Sequence, residues 1–234
     1  MMTESFIEKR ARERVRSLLD GGTFRELLGP FDRVISPWLP MQRIVPQSDD
    51  GVVIARGTLD GKPVMVGAIE GAFQGGSIGE VSGTKLAAAL EHTLAECEKG
   101  NTTYPVLLLE TGGVRLQEAN LGLAVIAEIH AAIAALVHHV PVVGVIAGMV
   151  GCFGGMSLTA GLCSHVIMTR QARLGMNGPE VIEQEAGIDE LDAGNPRLVW
   201  SIFGGEQRHR SGLVNSLVPD DVGAVRAAIR GVWS

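Results

Sequence analysis

Apolar positions recur along this chain with two periods, and the changes of period mark its elements. Over residues 4–19, Ile7, Ala11, Val15 and Leu18 share one stripe at helical spacing, while Lys9, Arg10, Arg12, Arg14 and Arg16 lie elsewhere. This predicts an amphipathic helix whose charges form a solvated face rather than a patch for an anionic partner. Residues 20–50 have no period and carry Pro30, Pro37, Pro40 and Pro46, so an irregular arm is expected there. VVIARGTLDGKPVMVGAIE reads as a hairpin of two alternating strands around an Asp60-Gly61 turn. Residues 81–98 then read as a helix, PVLLLE at 105–110 as a buried strand, and 119–137 as a long alanine-rich helix. PVVGVIAG is a further buried strand and GGMSLTAGLC a short helix. SHVIMTR and ARLGM read as short strands, and a final helix covers about 221–231. No internal sequence repeat stands out. The order of elements predicts α/β layers, with residues 1–50 a helix and arm and 51–234 one domain.

The stretch from Val140 to Ser164 has no charged residue and is long enough to suggest a membrane span. Pro141 and the glycines at 144, 148, 151, 154, 155 and 161 interrupt it, so a buried strand, turn and helix is the expected structure and no span is predicted. Composition supports a packed core, with 46% of residues in the AVILMFWYC group, 20% charged and a mean hydropathy of +0.22. The formal net charge of −6 argues against a nucleic-acid binder. Cys97, Cys152 and Cys163 form no disulfide framework, and without CxxC or HExxH no metal site is signalled. The N-terminal stretch lacks the continuous apolar run of a signal peptide, and a cytoplasmic location is expected.

Glycine changes the picture most, at 31 of 234 residues, against roughly 7% in ordinary proteins. Three glycine-rich turns each follow a predicted strand and precede a predicted helix: 73–83, 111–120 and 148–157. Such a turn presents unpaired N–H groups at a helix start, with no Cβ to keep an anion away. None contains GxxxxGK[ST], and none has GxGxxG at the first strand-helix turn. Gly75-Gly76-Ser77-Ile78-Gly79 matches the G-x-S-x-G nucleophile elbow. Glu70–Gln74 separate it from the preceding apolar run, however, so Ser77 is not expected to be a triad nucleophile.

Taken together, FQGGSIGEVSGTK, TGGVRLQEAN, GCFGGMSLTAG and RLGMNGPEVIEQEAG resemble the acyl-thioester carboxyltransferase family of the crotonase superfamily. The similarity is greatest to its malonate decarboxylase beta-subunit group. RERVRSLLDGGTFREL also looks like that family's first helix, so the resemblance runs through nearly the whole chain. It implies a crotonase-like fold of repeated β-β-α units in a spiral. It further implies a crotonase-like gamma subunit that completes the active site, an acyl-carrier subunit and an acyl-carrier transferase subunit. The chain itself would bind no cofactor; the acyl group would ride on a coenzyme-A-derived arm of the carrier. The implied reaction is decarboxylation of a malonyl thioester to the acetyl thioester. The four-cysteine ribbon and the biotin-carrier segment of related carboxylases are missing from the sequence.

Loss of CO2 from a malonyl thioester leaves an enolate, which is held best by donors that bind the oxyanion more tightly than the carbonyl. By resemblance, the backbone N–H groups of Gly154 and Gly155 are expected to form this oxyanion hole. Gly112 and Gly113, with Arg115, Gln117 and Glu118, form a second constellation for substrate. Arg115 and Glu118, three apart at a helix start, are equally readable as a pair with each other. Gly75 and Gly76 are expected to shape a wall beside the acyl group. His130, His138 and His139 read as satisfied helix or interface residues, and Cys152 as an inert buried thiol. Two alternatives remain open: a biotin-dependent carboxyltransferase subunit with the same oxyanion site, and a non-catalytic structural half of such a complex.

Overall fold

The Asp60-Gly61 turn closes the hairpin as its sequence predicts. Both residues adopt positive φ (50° and 78°), and β2 (Val52–Leu59) meets β3 (Lys62–Ile69) antiparallel with Leu59 opposite Lys62. The structure, a computed structural model, describes residues 4–233, so residues 1–3 and 234 of the expected segments lie outside it. Around the hairpin grows a seven-stranded sheet in sequence order. β1 (Arg25–Leu27), from the arm, pairs antiparallel with β2. β4 (Tyr104–Leu108), β5 (Val143–Ile146), β6 (His165–Thr169) and β7 (Ser216–Val218) then add in parallel.

Parallel strands need crossovers, and helices supply them. α2 (Glu80–Glu98) links β3 to β4, α3 (Asn120–Leu136) links β4 to β5, and α4 (Gly155–Leu162) links β5 to β6. Their apolar faces cover one side of the sheet, where Ile54, Met65, Leu107 and Ile146 meet Leu86, Leu90, Ile129 and Ile133. The other side, lined by Val53, Val66, Val106 and Val145, is covered by α1 (Ala11–Leu18) and α8 (Val222–Val232). Sheet strands with both faces buried explain why these segments read as continuous apolar runs. This is the α/β, crotonase-like arrangement that the resemblance implied.

Three details differ from the sequence reading. α1 starts at Ala11 rather than residue 4, because Phe6 and Ile7 donate their N–H groups to Asp220 (2.7 and 2.9 Å), an acceptor from the far end of the chain. ARLGM forms no strand; Arg173 and Leu174 make only single bridges. Between β6 and β7 the chain builds α5 (Pro179–Ala186), α6 (Pro196–Phe203) and α7 (Gly205–Arg210), three helices beyond those expected from the sequence.

Candidate functional site

The three glycine turns are zipped together at the carboxyl ends of β3, β4 and β5. Gly112 N–H donates to Gly75 C=O, Ile78 N–H to Gly113 C=O and Arg115 N–H to Ile78 C=O, each at 2.8 Å. Thr111 and Gly151 are joined in the same way (2.8 Å), as are Phe153 and Thr111 (2.9 Å). These bonds create single parallel bridges, Ile78 to Val114 and Thr111 to Cys152, that extend the sheet's order into the loops. Glycine is needed where the backbones touch. A Cβ on Gly113 would lie 3.1 Å from the Gly154 Cα, one on Gly154 would lie 3.0 Å from the Gly113 Cα, and one on Gly76 would strike the Glu110 carbonyl. Gly76 is buried in this crossing and Gly75 is exposed beside it.

Within this knot most N–H groups have partners. Gly112 is bonded to Gly75 and Gly113 to Thr111 Oγ1 (3.0 Å). Gly154 corrects the expected donor pair: its N–H donates to Met176 C=O at 2.7 Å and is not free. The role left to Gly154 is conformational, since its φ of 62° and ψ of −149° turn the chain into α4. On facing loops, the N–H groups of Gly155 and Val114 donate to no protein group among the described residues, as is also true of Gly75, Gly148, Met149 and Met156 in these turns. Gly155 opens α4, whose N-cap has no side-chain bond, so its N–H is an orphan by position. Val114 stands in its bridge between bonds made by Gly113 and Arg115, so its own N–H points away from Ile78. The two loops meet just before Gly155, where a Cβ on Gly154 would lie 3.8 Å from Val114 N. Val114 and Gly155 are each partly exposed. Nothing in the sequence marks Val114, an apolar residue, because the donor belongs to its backbone.

Arg115 and Glu118 take the pairing that their spacing allowed, at 3.1 Å, and both side chains are fully buried. Neither reaches a surface from which it would contact substrate, so their expected place in a substrate constellation is corrected; of the three polar candidates in this turn only Gln117 is exposed. Asp50 joins them, accepting from Arg115 Nη1 at 2.9 Å through both oxygens. Burial raises the Asp50 carboxyl above the ordinary Asp range, against the opposing pull of Arg115. Ser77 Oγ accepts from Arg115 Nε (3.2 Å), a structural bond and not the partnership of a nucleophile with a base.

Around the site, His130 on α3 bonds the first turns of α4, with Nε2 2.9 Å from Thr159 Oγ1 and 3.2 Å from Gly155 C=O, so it is a satisfied interhelical residue. His138 and His139 are exposed. Cys152 is fully buried, and that burial drives its thiol far above the ordinary range. Glu110, just past β4, forms a buried ion pair with Arg14 of α1 and accepts from Val150 N–H (3.3 Å), so α1 helps seat the third turn. Beside α4 lies a cavity of about 190 Å³ lined by Ser157, Gly161, Met176, Arg208 and Leu213 among others. No helix among the described residues is long and apolar enough to cross a membrane.

Comparison with known proteins gives a consistent result. The family model for the carboxyl transferase domain matches residues 8–232. The crystal structure of a Pseudomonas malonate decarboxylase hetero-tetramer in complex with malonate superimposes with a TM-score of 0.95 and 62% identity, over 97% of this chain and 82% of that one. The malonyl-S-ACP:biotin-protein carboxyltransferase MADC of Malonomonas rubra is 40% identical over 99% of this chain and 76% of its own length. The methylmalonyl-CoA carboxyltransferase 12S subunit of Propionibacterium freudenreichii is 33% identical; this chain matches it over 90% of itself and 37% of that subunit.

Proposed function

The chain belongs to the carboxyl transferase family, and from that premise we propose that it is the beta-type subunit of a malonate decarboxylase. Together with a gamma subunit of like fold, it removes CO2 from a malonyl thioester carried on the prosthetic arm of an acyl-carrier subunit. The observation that supports this reading is that the backbone N–H groups of Val114 and Gly155, on two loops packed against each other, have no protein acceptor.

The chemistry asks little else of this chain. The bond between the malonyl α-carbon and its carboxylate breaks, and the electron pair moves into the thioester carbonyl. CO2 departs and an enolate oxygen carries the charge. Donors aimed at that oxygen lower the barrier because they bind the oxyanion more strongly than the carbonyl, and each is worth about 10²–10³ in rate. The α-carbon of the enolate then takes up a proton to give the acetyl thioester. The glycine packing of the three turns fixes the two donors before substrate arrives, so no reorganisation is needed at the moment of reaction.

The relative from Malonomonas rubra favours a second reading, in which the same enolate site passes the carboxyl to a biotin protein. A test with the assembled complex separates the two. Malonyl thioester on the carrier subunit should release CO2 at a rate that avidin does not change. Avidin-sensitive turnover would favour carboxyl transfer to biotin. Unchanged turnover after alteration of both Val114 and Gly155 would assign the chain a structural role only.

A further inference from the structure

The Val114 N–H stays turned away from Ile78, and so free of a protein acceptor, only while residues 113–115 keep their extended bridge to it. Two backbone bonds make that bridge, and the side chain of Arg115 reinforces it from within the protein. Its Nη2 donates to Ser77 C=O (2.9 Å) and its Nε to Ser77 Oγ (3.2 Å), which clamps the residue just before Ile78. Its Nη1 donates to Asp50 (2.9 Å) and Glu118 (3.1 Å). Both carboxylates also hold the start of α2: Glu80 N–H donates to Glu118 Oε2 (2.6 Å) and Ser82 N–H to Asp50 Oδ2 (3.1 Å). Ser36 Oγ, from the arm, donates to Glu118 Oε1 (2.8 Å). One fully buried guanidinium thus joins the arm, the first two glycine turns and α2.

We infer that Arg115 is a positioning residue for enolate stabilisation, aiming the neighbouring Val114 N–H through Ser77, Asp50 and Glu118 without touching substrate. This rests on the oxyanion reading of Val114 and Gly155. Only arginine fits the role: its planar fork reaches acceptors in three directions, whereas a lysine ammonium would pair with a carboxylate and leave Ser77 unclamped.

The test uses the full complex and malonyl thioester on the carrier subunit, with kcat and KM measured separately. Arg115→Lys keeps the charge and is expected to lower kcat by about tenfold or more with KM within about twofold, the pattern of an interaction realised only in the transition state. Glu118→Gln, which keeps the shape and loosens the clamp, should show the same pattern more weakly; it also serves if Arg115→Lys fails to assemble. Wild-type kcat in both variants, with only a lower melting temperature, would reduce Arg115 to a stabilising residue and overturn the proposal. A raised KM at unchanged kcat would also overturn it, by making Arg115 a substrate contact. Val114→Pro deletes the donor itself. Wild-type turnover by that variant would defeat the oxyanion reading, whereas wild-type kcat in the Arg115 and Glu118 variants alone would defeat only the positioning role.

Discussion

Gly154 and Gly155 are adjacent glycines with different work. Gly154 turns the chain at positive φ and gives its N–H to Met176, while Gly155 keeps a free N–H at the start of α4. Their order in the sequence says nothing of this, because it depends on where the Met176 carbonyl arrives. A Cβ on Gly155 would stand 3.2 Å from Ile126 Cγ2. Gly155→Ala therefore needs only a small shift of Ile126, but Gly155→Val displaces the start of α4. The valine variant should lose about 10²–10³ in CO2 release, as for one lost oxyanion donor, with the subunits still co-eluting on size exclusion. Arg14 and Glu110 are a second residue-scale case. Replacing Glu110 by Ala strands a buried guanidinium, so the denaturation midpoint should fall by an amount equivalent to about 3–5 kcal/mol. Cys152 was legible as inert from its apolar setting, and its burial explains why. An alkylating reagent at pH 8 should leave Cys152 unmodified until denaturant is added, as read by mass spectrometry.

At the scale of elements, the hairpin, the crossover helices and the buried strands could all be read from their periods and from the Asp60-Gly61 turn. ARLGM could not, since its neighbours come from separate parts of the chain and meet it one residue at a time. α6 carries a local start signal: Asn195 accepts from Leu198 N–H as its cap and Pro196 follows at the first helical position. The hairpin turn has an anchor outside itself in Asp20. Its carboxylate accepts from Asp60 and Gly61 N–H, from the Thr58 hydroxyl and from Arg226 of α8. These bonds, Gly61 N–H foremost, depress the Asp20 pKa well below the ordinary Asp range. A carboxylate depressed in the folded state stabilises fully above its unfolded pKa, about 3.9, and that stabilisation disappears as pH falls through the folded value. Asp20→Asn should therefore lower the melting temperature at pH 7. The gap to wild type should shrink as the pH is taken below about 4.

For the whole molecule, the sheet in sequence order carries the three turns to one end, and there they bond to one another. Along α4, apolar surface is left uncovered. Leu158 and Leu162 on α4, Met176 and Leu213 are 41–56% exposed, and the cavity lined by Met176 and Leu213 lies beside them. On the proposed reading the gamma subunit covers this surface. Leu158→Asp should then abolish co-elution with the partner on size exclusion. The far-UV spectrum of the isolated chain should not change, since an exposed substitution on one helix leaves the core intact.

Periodicity, turn residues and four glycine-rich motifs were enough to establish the layered α/β class, most element positions, the family and the three turns in which the chemistry is proposed. These are local properties, set by neighbours a few residues away. The assignment of each N–H to an acceptor is not local. Met176 takes Gly154's donor, Ser77 and Asp50 take Arg115's side chain, and Val114 is left with no protein acceptor. Hydrogen-bond satisfaction is settled between segments distant in sequence, so the free donors could be identified only once the turns were packed together.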